Sequence, residues 1–215
     1  MNKKGIAEKI KQVREESKER KFKQSFDIAI NFRNINIEAP EYKINMSLLL
    51  PAGRGSDVNV GIFADGDTYL LAKKVTDFVL NKADIDEYAK NRRMMRKFAN
   101  SCYWFLAQPD MMSIIGKKWG IVLGPRGKMP QVLPPKVDLD AYVKRFSNTV
   151  RIRSKKSPTI HVPVGVEDMN PKDVADNIAA ISGDIIHKVD KINIASIYLT
   201  TTMGKSIDIT EEILA

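Results

Sequence analysis

Cysteine, histidine and long apolar runs are scarce in this chain, and each scarcity removes a class of function. The only cysteine, Cys102, leaves no internal disulfide and no cysteine metal cluster. The only histidines, His161 and His187, have no Cys, His or carboxylate at a metal-ligand spacing, so no metal and no cofactor is expected. The longest apolar stretches, such as Ile44–Pro51, are strand-sized, far below the ~20 residues of a membrane helix. The N-terminal Met-Asn-Lys-Lys leads into a charge-rich amphipathic stretch without the apolar core of a secretory signal. A cytoplasmic protein with no membrane partner is the expectation. There is no internal repeat and no low-complexity segment.

What the chain does have is positive charge and enough apolar residues for a core. Its 215 residues carry 35 Lys and Arg against 26 Asp and Glu, a net of +9. Such a balance suits polyanionic partners without proving one.

Periodicity predicts a helix over 3–21, with Ile6, Ile10 and Val13 on one face. Phe26, Ile28, Ile30 and Phe32 then alternate with polar or small residues, as a half-buried strand does. Lys43–Leu50 reads as a second strand, broken by Pro51-Ala52-Gly53-Arg54-Gly55. Strands over Val58–Phe63 and Tyr103–Ala107 alternate with helices over Thr68–Leu80, Ile85–Asn100 and from Pro109 onward. A Gly/Pro-rich loop at Gly124–Pro135, a helix over Asp138–Phe146 and a strand at Thr149–Arg153 follow. After a basic linker at Ser154–Pro158 come a strand at Thr159–Val164 and a helix from Pro171 to Val189, capped by Asn170. The strands Ala195–Thr202 and Ser206–Ile209 end the pattern.

The alternating middle predicts a three-layer, Rossmann-like α/β/α unit, and the flanks predict an α+β unit with an antiparallel sheet. Two domains are therefore expected: a discontinuous one from 1–53 and 155–215, and an inserted one over 54–154. With those bounds the insertion would hold 18 basic against 10 acidic residues, a net of +8. The crossings near 53–55 and 154–158 would serve as a hinge.

Catalytic patterns fail on inspection. Asp65-Gly66-Asp67-Thr68 has the spacing of an aspartate-nucleophile phosphatase, but Tyr69 stands where that motif needs Thr or Val. A helix-capping turn is the simpler reading. Gly127-Lys128 lacks a phosphate loop's first glycine (Val122 is there) and its Ser or Thr (Met129 is there). Convergent acids, a nucleophile and its base are not visible.

Two motifs remain: Gly124-Pro125-Arg126-Gly127-Lys128-Met129-Pro130, preceded by Ile114-Ile115-Gly116-Lys117-Lys118-Trp119-Gly120, and Ser196-Ile197-Tyr198-Leu199-Thr200-Thr201-Thr202-Met203-Gly204. The chain also contains Lys21-Phe22-Lys23-Gln24-Ser25-Phe26-Asp27 and His161-Val162-Pro163-Val164-Gly165. In this order, from about residue 5 to residue 209, they resemble the ribosomal protein L-one family, archaeal members more than bacterial ones. The resemblance implies a non-enzymatic ribosomal protein that binds large-subunit rRNA and forms the mobile stalk beside the tRNA exit site. It implies two further partners, exit-site tRNA and the leader of the protein's own mRNA, whose translation it would repress. The free protein is expected to be a monomer.

The resemblance places RNA contacts at Lys21, Phe22, Ser25, Asp27, Ser196, Thr202, Met203 and Gly204. Lys205 stands where bacterial members usually have proline, and would add a phosphate contact at the margin. The chemistry suits an A-form minor groove, where hydroxyls meet 2′-hydroxyls and a glycine permits close approach. Plainer readings stand beside these: Phe22 as a core aromatic, Thr200, Thr201 and Thr202 as strand residues, Gly204 as a turn glycine. The Gly124–Lys128 loop is either a packing loop or a phosphate contact. Rivals from other classes are a Rossmann-like nucleotide-binding hydrolase, which would bind mononucleotides, and a basic protein–protein adaptor, which would not bind RNA.

Overall fold

A computed structural model describes residues 1–36, 39, 42–135, 137–154 and 157–214. Helix α1 (Lys3–Glu16) opens the chain. Asn2 caps it by accepting from the Gly5 amide, and it buries Ile6, Ile10 and Val13 as the spacing predicts. It ends five residues short of the predicted end, at Ser17, whose hydroxyl donates to the Val13 carbonyl. Strand β1 (Ser25–Phe32) buries every second residue. Strand β2 (Asn45–Leu49) leads to the turn at 51–55.

The inserted segment begins with β3 (Val60–Phe63), fully buried. Helix α2 (Gly66–Val75) follows, capped by Asp65. It stops earlier than predicted, because Val79–Leu80 form a short strand, β4, beside β3. Helices α3 (Lys82–Lys90) and α4 (Arg92–Ser101) replace the single predicted helix. Asn91 makes the break: its amide donates to the Tyr88 carbonyl at the end of α3, and its side chain accepts from the Arg93 and Met94 amides of α4. Then come β5 (Trp104–Ala107), α5 (Pro109–Leu123), the short strand β6 (Gln131–Val132) within the predicted loop, and α6 (Leu139–Ser147).

The closing segment holds β7 (Thr149–Arg153), β8 (Thr159–Val166), α7 (Pro171–Val189), β9 (Ile194–Thr201), β10 (Ser206–Asp208) and α8 (Thr210–Leu214). Part of the linker expected at Ser154–Pro158, Lys155 and Lys156, lies outside the described residues.

Contacts divide the chain into Met1–Ser56 with Asn148–Ala215, and Asp57–Ser147. In the first unit β1 sits at the centre of an antiparallel sheet of order β10-β9-β1-β8. One face of that sheet joins α1 and α7 in a single core that includes Ile6, Phe26, Ile30, Val162, Ile178 and Leu199. Strand β7, which the sequence pattern groups with the insertion, instead pairs with β2 and sends Val150 and Ile152 into this core. Alternating apolar residues suit such a pairing, which a basic stretch after residue 153 does not reveal. Buried Asn177 of α7 fixes the 51–55 turn: it accepts from the Ala52 amide at 3.0 Å and donates to the Gly53 and Val164 carbonyls at 2.8 Å.

The second unit is a parallel sheet of order β4-β3-β5-β6. Alternate strand residues serve two cores. Val60, Ile62, Trp104 and Leu106 pack with Ala72, Val75 and Leu139 of α2 and α6. Phe63, Phe105 and Ala107 pack with Met95, Ile115 and Trp119 of α4 and α5. These are the two covered faces of a three-layer α/β/α unit.

Moving β7 to the first unit changes the charge balance. Residues 57–147 hold 15 basic and 10 acidic residues, a net of +5, and the remainder holds 20 and 16, a net of +4. The expected concentration of charge in the insertion gives way to a nearly even division.

Candidate nucleic-acid interface

Alternation on β1, β8 and β9 leaves one face of the antiparallel sheet polar. Its cross-strand rows follow from the register: Thr159–Asn31–Ser196, His161–Ala29–Tyr198 and Pro163–Asp27–Thr200. In the first row Asn31 donates to the Ser196 hydroxyl at 3.0 Å and accepts from the Thr159 hydroxyl at 2.9 Å. Ser196 therefore enters the face with one bond already made.

The end of the sheet where β1 begins and β9 finishes is held more firmly. The Thr202 amide donates to the Ser25 carbonyl and the Ser25 amide donates to the Thr202 hydroxyl, each at 3.0 Å. Gln24, 1% exposed, accepts from the Met203 amide at 3.2 Å and donates to the Lys18 carbonyl at 3.2 Å. Its amide donates to Glu167, and its carbonyl accepts from the Glu167 amide, both at 3.0 Å. One buried glutamine thus ties the segment after α1, the start of β1 and the Thr-Met-Gly turn together. The sequence gives no sign of this role, since glutamine is usually a surface residue and no spacing marks it.

With the backbone fixed this way, Phe22 is 50% exposed and Met203 60% exposed. The plain reading of Phe22 as a core aromatic is wrong here; the interior is already filled by Phe26. Lys21 and Lys205 are exposed on the same two segments. Lys21, Phe22, Ser25, Thr202, Met203, Gly204 and Lys205 thus belong to two segments joined by the Ser25–Thr202 and Gln24–Met203 bonds. Asp27 lies two residues along β1 on the same face as Ser25. Ser196 does not join them: six residues from Thr202 along β9, it lies about 20 Å away.

Gly204 has an internal reason to be glycine. A Cβ there would collide with the Thr201 hydroxyl and lie 2.7 Å from that of Ser17. Those two hydroxyls are 2.7 Å apart and bonded. Asp27 is half-buried, and burial raises its carboxyl above the ordinary carboxylate range, opposed by the positive charges of Arg54 and His161.

The Ribosomal protein L1p/L10e family model matches residues 13–205. The chain belongs to this ribosomal protein family. Large ribosomal subunit protein uL1 of Thermoplasma volcanium is 40% identical over 206 residues, 95% of each chain. The uL1 of Methanosarcina acetivorans is 42% identical over 209 residues, 96% of this chain and 98% of its own. The uL1 of Thermoplasma acidophilum is 38% identical over 211 residues, 97% of each. Membership makes this a structural ribosomal protein of archaeal kind, carried by the ribosome in the cytoplasm, and not an enzyme. No helix among the described residues is long and apolar enough to cross a membrane.

Within this L1-family chain, the hydrolase rival would need the crevice at the carboxyl ends of β3 and β5, where the strand order reverses. A cavity of about 400 Å³ is there, lined by Thr68, Gln108 and Asp110 among prolines and aliphatic residues. Aspartates occupy both adjoining helix starts: Asp65 caps α2, Asp67 lies in its first turn, and Asp110 lies in the first turn of α5. Carboxylates where a nucleotide's phosphates would sit repel them.

Both cations of the Gly124–Lys128 loop bond to the protein itself. Lys128 donates to the carbonyls of Ala99 and Cys102 at 2.8 and 2.6 Å. Arg126 donates to the Val122 carbonyl at 3.0 Å and to Asn100 at 3.1 Å. They satisfy carbonyls at the ends of α4 and α5, and Gly127, at φ 66°, makes the turn that allows it. The geometry favours the packing role.

Proposed function

We propose that this L1-family chain binds large-subunit rRNA through the polar sheet face and its Thr202–Gly204 end. There it forms the mobile stalk beside the tRNA exit site and helps deacylated tRNA leave. The same surface binds the leader of its own mRNA and represses translation, and the free protein is a monomer. One observation carries the reading. Two apolar side chains, Phe22 and Met203, are held in water beside Lys21 and Lys205 on backbone that buried Gln24 fixes. A rigid surface with apolar tips, hydroxyls and flanking cations matches the shallow minor groove of A-form RNA. Lys21, Phe22, Ser25, Asp27, Thr202, Met203 and Lys205 are its proposed contacts. Ser196 reaches RNA only if the duplex runs the length of the face, and Gly204 acts by keeping the turn tight.

The test is a binding titration of the full protein against large-subunit rRNA fragments and its own mRNA leader. Phe22→Ala with Met203→Ala should weaken both by about tenfold or more while the melting curve is kept, as loss of two central apolar contacts does at an interface. Unchanged affinity in that folded variant would move the site elsewhere.

A further inference from the structure

Helix α4 places four cations in its first six residues: Arg92, Arg93, Arg96 and Lys97. Lys90, two residues earlier, adds a fifth. All five are exposed, and among the described residues none of their side chains makes an ion pair or hydrogen bond. Met95 and Ala99 are buried outside the arc these cations span, and Phe98, opposite it, packs 5.9 Å, centroid to centroid, from each of Tyr88, Phe105 and Trp119. At about 100° per residue, Arg92, Arg93, Arg96 and Lys97 cover an arc of roughly 140° on the solvent side. The face is rigid because the other side is set in an aromatic core.

Folding does not favour this arrangement. Cations at a helix N-terminus oppose the macrodipole, and this helix has no acidic residue in its first turn. Arg92–Arg96 and Arg93–Lys97 are like charges at i,i+4, which repel. Asn91 supplies the capping that the sequence otherwise denies the helix. A set of charges that weakens its own helix and has no ion pair or hydrogen bond among the described residues is suited to an anion from outside.

We infer that the exposed face of α4 is a second RNA-contacting surface, on the inserted unit, that takes phosphates of the rRNA backbone. This rests on the proposed rRNA binding and adds to it a contact distinct from the sheet end. Three of the four cations on the helix are arginines, whose planar forks pair bidentately with phosphate. Met94, 43% exposed beside the cationic arc, next to Lys97 around the helix, offers apolar surface to a sugar. The face reads no sequence; it contributes affinity and orientation, as backbone contacts do.

The experiment titrates the full protein against a large-subunit rRNA transcript across a salt series. The variant is Arg92→Gln, Arg93→Gln, Arg96→Gln and Lys97→Gln together. Each lost phosphate contact lowers the slope of log affinity against log salt by roughly 0.7–0.9, so a fall of about 3–3.5 is expected for the four cations, with affinity at least about tenfold weaker at low salt. The melting temperature should hold or rise, because charges unfavourable to the helix are gone. If the variant melts early, Arg92→Lys, Arg93→Lys and Arg96→Lys together must keep the wild-type slope. A slope that falls in that charge-retaining variant overturns the inference.

A wild-type slope and affinity in the glutamine variant, with wild type binding rRNA, overturns this inference and leaves the sheet site intact. If the Phe22→Ala, Met203→Ala protein instead binds fully while the glutamine variant does not, the sheet reading fails and α4 stands. A wild-type protein that binds no rRNA removes both. Wild-type rRNA slope and affinity in the glutamine variant, together with polyglutamate that binds the wild type and not that variant, would assign the face to acidic proteins and overturn the RNA assignment.

Discussion

Thr202 and Ser25 hold each other three times: the Thr202 amide donates to the Ser25 carbonyl and the Ser25 amide to the Thr202 hydroxyl, both at 3.0 Å, and that hydroxyl donates more weakly to the Ser25 carbonyl at 3.4 Å. The hydroxyl is therefore partly used inside the protein and offers its remaining capacity outward. Thr202→Val keeps the shape and removes both roles. Folding stability should fall by about 0.5–1.5 kcal/mol, the net worth of one hydrogen bond. Affinity for rRNA should fall by about 1–3 kcal/mol with an unchanged salt slope, since no charge is lost. Denaturant melts and a salt series of RNA titrations measure the two separately. Wild-type RNA affinity in the folded variant would remove Thr202 from the interface.

Gly204 is constrained by packing before any RNA arrives. Even Gly204→Ala pushes a methyl against the Thr201 and Ser17 hydroxyls, which bond to each other. A loss of about 1–3 kcal/mol is expected from such overpacking. Adding Thr201→Ala should recover part of it. Chemical denaturation of the two variants decides the matter, and a Gly204→Ala protein as stable as wild type would refute the packing account.

Asp27 makes a pH-dependent contribution with a definite sign. Burial raises its folded pKa above the ordinary 3.8, so between those two values the folded state holds the proton more tightly. Stability contributed by the protonated form is fully present below 3.8 and is lost as pH rises through the folded value. Asp27→Asn should flatten that part of the stability–pH curve and be at least as stable as wild type above it. Urea titrations stepped upward from below pH 3.8 follow this. An Asp27→Asn protein less stable than wild type at neutral pH would show that the charge of Arg54 outweighs burial.

Lys128 tests the Gly124–Lys128 loop. Lys128→Met leaves the Ala99 and Cys102 carbonyls without their donor, and about 1–3 kcal/mol of stability should go with it. The RNA salt slope should stay as in wild type. A reduced slope in a protein of normal stability would mean that the lysine serves phosphate after all.

Much of this fold is legible in the sequence because burial follows simple periods. Ile6, Ile10 and Val13 mark α1, and Phe26 through Phe32 mark β1. Asn170-Pro171 marks the start of α7. The misreadings have local causes. Val79–Leu80 continues the apolar pattern of α2 but is taken by the sheet edge. Asn91 ends one helix and starts the next without proline or glycine to announce it. The partner of β7 lies far away in sequence, and alternation tells which face a strand buries, never which strand lies beside it. At the site, residues joined to a motif could be found and residues that merely hold it could not. Gln24 and Ser17 act through single hydrogen bonds across long sequence separations, and nothing in their neighbours foretells that.

The central place of β1 sets a timetable for making the protein. It starts at Ser25, but its neighbours β8 and β9 start only at Thr159 and Ile194. At about 5–20 residues per second, a ribosome needs on the order of ten seconds or more between the first strand and its last partner. For most of that interval, until β8 emerges, Phe26, Ile28, Ile30 and Phe32 have no partner strand, while residues 57–147 already hold the strands of their own sheet. The insertion can fold during synthesis; the older half of the chain waits, its apolar strand exposed, for the end of its own translation.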